Sequence, residues 1–321
     1  MGKQTWPSPL SSRRLPGIVT VASCLLLGVT VSAQTLGSRL VSASGVRGGL
    51  IVHLGCGDGR LTVGLRGGET FVVHGLDTDA SKVAAGRRHA ADVEASGSVS
   101  FARFDGKAVP LVDGLVGVIV LSEPCRVPAA EFARALAPRG VLLTRVPVDG
   151  LPNNTLLASI PSSIEGWAAY RKPVPAEIDE WTHFLHGPDG HVMSRDHVVG
   201  PPHHIQWIGS PKHSRSHIRL TTVNVMVTGG GRLFYIADIS PSGLPEDLPG
   251  RCAVIARNAF NGIELWRRPL SAWQTYYVKD RNSYPADVHR RLGAAADRVF
   301  VTLDIHGSVS ALDAATGKTV R

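Results

Sequence analysis

Cysteine is scarce in this chain. Four occur in 321 residues, at positions 24, 56, 125 and 252, and none stands in a C-x-x-C spacing. No zinc site, haem attachment or disulfide framework is therefore indicated. A dense Lys/Arg stripe is missing as well. The formal charge is +8, but Lys3, Arg13 and Arg14 supply part of it before the first apolar run, and the rest is scattered. A nucleic-acid partner needs a concentrated basic footprint, so none is expected. No apolar run reaches the roughly 20 residues that span a bilayer. What remains is 43% hydrophobic and 19% charged. That balance suits chains that fold around cores, and the length allows two domains of about 100–200 residues each.

Residues 1–33 read as an export signal. Lys3, Arg13 and Arg14 form the positive region and Ile18 to Val31 the apolar region. Val31-Ser32-Ala33 is a small-residue cleavage site, with Gln34 the mature start. Pro16 and Gly17 shorten the apolar run, which favours cleavage over a retained anchor. Val21-Ala22-Ser23-Cys24 matches a lipoprotein box, but Cys24 lies in mid run. Ser12-Arg13-Arg14 hints at twin-arginine export, but Pro16 breaks that pattern. The expectation is an exported protein, periplasmic or secreted, with no membrane span once the signal is gone.

Leu50 to Leu54 is a short apolar run, with His53 inside it, that feeds Gly55-Cys56-Gly57-Asp58-Gly59. Such a run reads as a buried strand, and glycine at every second position lets the backbone bend sharply and approach a ligand. Main-chain amides of that bend are expected to cup the ligand. Asp77 closes the next apolar run, Phe71 to Leu76, 18 residues past Gly59. A carboxylate about 20 residues beyond a glycine loop suits ribose hydroxyls. The spacing is G-x-G-x-G rather than G-x-G-x-x-G, so nicotinamide dinucleotides fit less well.

At these residues the chain resembles the class I S-adenosylmethionine-dependent methyltransferases, over roughly residues 46–146. The resemblance implies a cofactor site for S-adenosylmethionine at Gly55, Cys56, Gly57, Asp58 and Gly59, with Asp77 on the ribose. Asp105, in Phe104-Asp105-Gly106, falls where that family often places an acid beside the adenine. Cys56 itself reads as packing rather than chemistry. No catalytic residue is assigned. Glu123, in Ser122-Glu123-Pro124-Cys125, is a candidate base, and no Asn-Pro-Pro-aromatic motif for an amino-group acceptor follows the fourth strand.

The order of signals supports an α/β sheet with helices on its faces. Strands are expected at Phe71 to Leu76, Val99 to Phe104, Leu115 to Leu121 and Val141 to Val146. A helix capped by Asp79 or Ser81 is expected to face inward through Val83, Ala84, Ala90, Ala91 and Val93, with Gly97 ending it. Pro128 to Leu136 reads as a second helix, and Pro138-Arg139-Gly140 as a turn. Arg60 to Arg66 leaves about two helical turns for the first crossover. Pro147 to Ser162 reads as a linker. The family's usual closing helix and antiparallel strand pair are not evident, which predicts a truncated sheet. Residues 147–217 then form a linker and a His/Pro-rich segment carrying eight of thirteen histidines: 183, 186, 191, 197, 203, 204, 213 and 217. His183 and His186 stand three apart, as on one helical face, but no ligand pattern repeats. No metal site is assigned.

Residues 218–321 contain a repeat. Val254 to Trp266 is one copy and Val309 to Val320 the second, with Gly262 and Gly317 in matching places. Arg232 to Ile236 matches Arg298 to Thr302 upstream, and the unequal spacing implies an insertion near Ser240 to Gly250. Asn261-Gly262 is a strong hairpin signal. The unit resembles the pyrroloquinoline-quinone-type (PQQ-like) propeller repeat, Ala-x-Asp-Ala-x-Thr-Gly-x-x-x-Trp. The first copy departs from it at Asn258 and Asn261 but keeps Gly262 and Trp266. The expected fold is an α/β Rossmann-like methyltransferase domain followed by an all-β partial propeller. Propellers need 4–8 blades, and under two are visible. A fragment with a poorly packed C-terminal sheet is expected.

Three functions follow from these readings. One is binding of S-adenosylmethionine with methyl transfer to an acceptor the sequence does not name. The second is a degenerate domain with the propeller as a protein-docking scaffold, which fits export away from the cytoplasmic cofactor. The third is a fragment of a quinone-dependent dehydrogenase. The visible part has neither the calcium site nor the adjacent cysteines that PQQ binding of that kind would need.

Overall fold

The computed structural model describes residues 35–151, 155–198, 200–201, 205–211, 213, 223–244, 250–271, 273, 288–304 and 306–321. The expected signal, 1–33, lies outside the described residues, as do His203, His204 and His217.

Residues 35–44 form helix α1. There follow β1 (Gly49–Leu54), α2 (Arg60–Gly64), β2 (Phe71–Asp77), α3 (Ala80–Asp92), β3 (Val99–Arg103), β4 (Val116–Leu121), α4 (Ala129–Ala135), β5 (Leu136–Thr144), β6 (Ala158–Ile160) and β7 (Ala168–Arg171). They build one seven-stranded sheet in the order β3-β2-β1-β4-β5-β7-β6. β1 to β5 run parallel, β7 is antiparallel to β5, and β6 is antiparallel to β7. This is an open, doubly wound α/β sheet of Rossmann-like kind, closed by an antiparallel pair. All six residues of β4 are buried. A strand covered on both faces needs no polar alternation. Successive residues part to opposite faces. Ile51, Val73 and Val118 meet Leu40 of α1, Val83 of α3 and Phe101, while Val52, Leu76 and Ile119 meet Phe132 of α4.

Several expectations are corrected here. The sheet is not truncated: the antiparallel pair is present, and the stretch read as a linker from Pro147 to Ser162 carries β6. The unit also starts earlier than residue 46, because α1 packs Leu40 and Val41 into the core. Pro138 to Gly140 is a bulge inside β5 rather than a turn before a strand. Its register against β4 jumps from Leu136 to Val141, and Arg139 takes φ +68°. Asp79, not Ser81, caps α3, accepting from the Ser81 amide at 2.7 Å. The buried face of α3 is Val83, Gly86 and Ala90, and Val93 is exposed.

The second unit holds β8 (Val223–Gly229), β9 (Arg232–Asp238), β10 (Cys252–Asn258), β11 (Glu264–Pro269), β12 (Leu292–Ala295), β13 (Arg298–Thr302) and β14 (Val309–Asp313). They form two antiparallel sheets, β11-β10-β9-β8 and β12-β13-β14. The expectation of a poorly packed sheet is overturned. Phe234, Ile236 and Val254 of one sheet share a core with Leu292, Val299 and Leu312 of the other. Each sheet covers the face its neighbour would leave wet.

The two repeat turns are built alike. Asn258 Oδ1 accepts from the amides of Phe260 and Asn261, and Asp313 Oδ1 from those of Ala315 and Thr316. Gly262 and Gly317 follow, at φ +72° and +70°. Each lies under an indole. A Cβ on Gly262 would come within 2.3 Å of Trp207, and one on Gly317 within 2.7 Å of Trp266. Trp207 thus stands to the first turn as Trp266 stands to the second.

Candidate functional site

The strand order reverses direction between β1 and β4. In open α/β sheets, ligands bind at such a switch point, beyond the carboxyl ends of the strands. A cavity of about 530 Å³ lies there, walled by residues that follow β1, β2, β3 and β4. Gly55, Asp77, Phe104, Asp105, Glu123 and Cys125 line it. Its walls carry four carboxylates, Asp77, Asp79, Asp105 and Glu123, against two cations, Lys82 and Arg126. The formal balance of −2 favours a cationic ligand.

Gly55 sits at φ +74°, and a Cβ there would lie 2.7 Å from Cβ of Glu123. Both the conformation and the close approach of the β4 loop require glycine. The amides of the bend are not aimed at the cavity as expected. Gly55 and Cys56 both donate to the Leu76 carbonyl, at 2.9 and 3.2 Å, and Gly59 donates to the Cys56 carbonyl at 2.9 Å. Gly57 donates to Asp77 Oδ2 at 3.3 Å. Amides in a packed bend need partners, and the end of β2 supplies most of them.

Asp77 is 5% exposed. Besides Gly57, it accepts the Asp79 amide on Oδ1 at 3.0 Å, and Lys82 Nζ stands 4.0 Å from Oδ2. Its carboxylate is thus turned toward the glycine bend. Asp105 holds the far wall and accepts from the amides of Lys107 and Ala108, which keep its carboxyl below the usual range. Gly55, Asp77 and Asp105 are therefore brought together. The other expected residues lie apart from the lining. Asp58 is exposed, accepts the Arg60 amide and pairs with the Arg60 guanidinium at 3.3 Å. Gly59 abuts Gly86 of α3. The Cys56 side chain is buried in the core, where desolvation first and the Asp77 charge second push its thiol up to about 12.

Lys82 and His53, to which sequence reasoning gave no role, matter here. Lys82, in the first turn of α3, donates to Glu123 Oε2 at 2.8 Å across the mouth of the cavity. That bond raises the Lys82 pKa. Beneath the bend, His53 bridges Thr62 Oγ1 and Ser122 Oγ, both at 2.8 Å. Ser122 donates onward to the Gly55 carbonyl at 3.0 Å. With that proton committed, His53 Nε2 is the donor to Ser122, and Nδ1 accepts from Thr62. Burial, and secondarily the Arg145 charge, lower the His53 pKa to about 3. A lone histidine inside the apolar run before Gly55 was the available signal, since a buried imidazole needs partners.

Among the described residues of the histidine-rich segment, His183 and His186 do not share a helical face. His183 and His186 exchange backbone hydrogen bonds, both at 3.1 Å, in a tight reversal rather than a helix. His186 Nε2 meets Asp179 Oδ2 at 2.7 Å. The Arg195 amide foremost, and His186 with it, hold Asp179 at about 2. Among the described residues, no three of His, Cys, Asp or Glu converge as metal ligands would. Among them too, no helix is long and apolar enough to cross a membrane.

No protein-family model matches the chain, and no curated protein does. Solved structures do match. A geranyl diphosphate methyltransferase in complex with S-adenosylmethionine is 21% identical, over 38% of this chain and 52% of that one, with a TM-score of 0.34. A geranyl diphosphate C-methyltransferase from Streptomyces coelicolor A3(2), holding S-adenosylhomocysteine, is 20% identical over 38% and 48%, with a TM-score of 0.34. The [4+2]-cyclase SpnF is 20% identical over 36% and 48%, with a TM-score of 0.32. The chain spans about half the length of each of these three structures.

Proposed function

We propose that residues 35–171 bind S-adenosylmethionine in the cavity at the switch point and present it for methyl transfer. One observation carries this reading: the buried Asp77 carboxylate at the end of β2 faces the glycine bend that follows β1. When bound, the cofactor supplies a methyl carbon on a sulfonium, which an acceptor displaces in line, breaking the carbon–sulfur bond and leaving S-adenosylhomocysteine. Asp77 would accept from the ribose hydroxyls. Phe104 and Cys125 offer apolar walls to the base, with Asp105 beside its edge. A volume of about 530 Å³ lies within the roughly 300–1,000 Å³ of small-molecule sites. The surplus of carboxylates favours the sulfonium over its neutral product.

A second reading is binding without transfer. Its support is the Lys82–Glu123 pair, which engages the one carboxylate proposed as a base and lies across the mouth. Glu123 can take an acceptor's proton only when Lys82 lets it go. In either case we read the C-terminal sheets as propeller-type blades that dock a protein partner, on the strength of the repeated indole-over-glycine packing, and the whole chain as exported.

Cys125 provides the test. It lines the cavity and is half-buried, whereas Cys56 and Cys252 are buried. Alkylation of the full chain, read by peptide mass spectrometry, should label Cys125 before Cys56 and Cys252. Millimolar S-adenosylhomocysteine should slow that labelling severalfold. Unchanged labelling at Cys125 would remove the ligand from this cavity.

A further inference from the structure

A second cavity, of about 470 Å³, lies at the opposite end of the parallel sheet, where the amino ends of β1 and β5 meet the turns of the second unit. Its lining includes four arginines, Arg47, Arg139, Arg171 and Arg232, and no carboxylate. The two cavities thus carry opposite charge. We propose that this second cavity binds a small molecule bearing two or more negative oxyanion groups, of which a diphosphate is the simplest.

The four guanidiniums come from separate places in the fold. Arg47 precedes β1, Arg139 sits in the β5 bulge, Arg171 ends β7, and Arg232 opens β9 after the Gly230-Gly231 turn. Among the described residues none of them forms an ion pair. Arg47 donates to the Ala315 carbonyl at 3.4 Å, Arg171 to that of Ser44 at 3.2 Å, and Arg232 to that of Gly230 at 3.3 Å. Each guanidinium has five N–H donors, and among the described residues most of them are left for a ligand.

Two features argue that this grouping has a purpose. Like charges brought to one cavity repel, and an anion between them would offset that repulsion. Arg232 is half-buried, and its pKa is lowered by desolvation first and by Arg139 and Arg47 next. Asp313 and Glu180 act on it the other way, but neither lines the cavity. Arg139, besides, occupies the left-handed region at φ +68°. A non-glycine residue there is strained, and such strain gathers at ligand sites. The bulge carries the Arg139 guanidinium across to the second unit, where a Cβ on Gly231 would lie 3.2 Å from its Cζ. Arg47, Arg139 and Arg171 are exposed, so a ligand can enter. Guanidinium forks match phosphate and carboxylate oxygens in pairs, and Asn258 and Asn261 add amides to the lining.

The test uses the full chain and sodium pyrophosphate, titrated by calorimetry at low and high sodium chloride. Saturable binding that weakens with salt is expected, with no heat from acetate at matched ionic strength. R139Q/R232Q should weaken binding by about tenfold or more, since it removes two of the four cations. The exposed variant R47Q, remote from both cores, should weaken it less and guards against a double variant that fails to fold. Citrate binding that is lost in the same variants would also support the proposal and would show that charge matters more than phosphorus. Absence of pyrophosphate binding, or equal binding by wild type and both variants, would overturn it. Saturating S-adenosylhomocysteine should not compete, so this result is independent of the first cavity.

Discussion

Acid should destabilise the α/β unit, and His53 contributes a share that can be isolated by substitution. It is 1% exposed, and both of its ring nitrogens are bonded. Its folded pKa lies at about 3, against 6.5 for an ordinary imidazole. Between those values the unfolded chain binds a proton that the folded chain refuses. The stability that follows is complete above pH 6.5 and is lost as the pH falls toward 3. The slope is about 1.4 kcal/mol per pH unit, so a drop from pH 6.5 to 4.5 costs roughly 2–3 kcal/mol. That is a large share of the ~5–15 kcal/mol of a typical domain. Urea unfolding at several pH values should show it, with His53→Gln as the reference, because glutamine bonds without titrating. Wild type should lose about 2–3 kcal/mol more than the variant over that range. In histidine-labelled protein, one imidazole resonance should stay unshifted above pH 4.5. Parallel pH profiles for the two proteins, or a His53 that titrates near 6.5, would refute the reasoning.

Gly55→Ala should lower the stability of the same unit by about 2 kcal/mol, through its left-handed backbone and the contact with Glu123. It should also loosen the Lys82–Glu123 pair, read as a faster Cys125 alkylation. Trp266→Ala removes an indole that covers Gly317 and donates to the Ala314 carbonyl at 3.0 Å. Its cost should be about 2–3 kcal/mol. Hydrogen exchange should show protection lost at residues 309–321 and kept in β1 to β5; uniform loss would contradict the packing described.

Much of the fold was legible because the parallel strands are apolar runs and the connecting glycines and Asp79 mark their ends. Val116 to Leu121 could hardly be read otherwise. The edge was not legible. β6 and β7 are three and four residues long, too short to show a period, and they follow a stretch rich in Pro and Asn. β5 was misread at its start because Pro138-Arg139-Gly140 has turn chemistry, while pairing to β4 holds it in the sheet. The repeat turns were visible as local motifs, but the core they share depends on Leu292 and Val299 meeting Phe234 across two sheets. The candidate site divides in the same way. Asp77 and Gly55 announce themselves by spacing. The Lys82–Glu123 pair joins residues 41 apart in sequence, and the arginine cavity joins residues from both units, so neither leaves a local signature.

The most direct measurement is a calorimetric titration of the full chain with S-adenosylmethionine, repeated on Asp77→Asn, which preserves the acceptor for Gly57 but removes the charge. One site is expected in the wild type, weakened about tenfold or more in the variant, consistent with the roughly 1.5–3 kcal/mol of a hydrogen bond to a charged group. Equal affinities in the two proteins, or no binding by the wild type, would contradict a role for Asp77 in holding the cofactor.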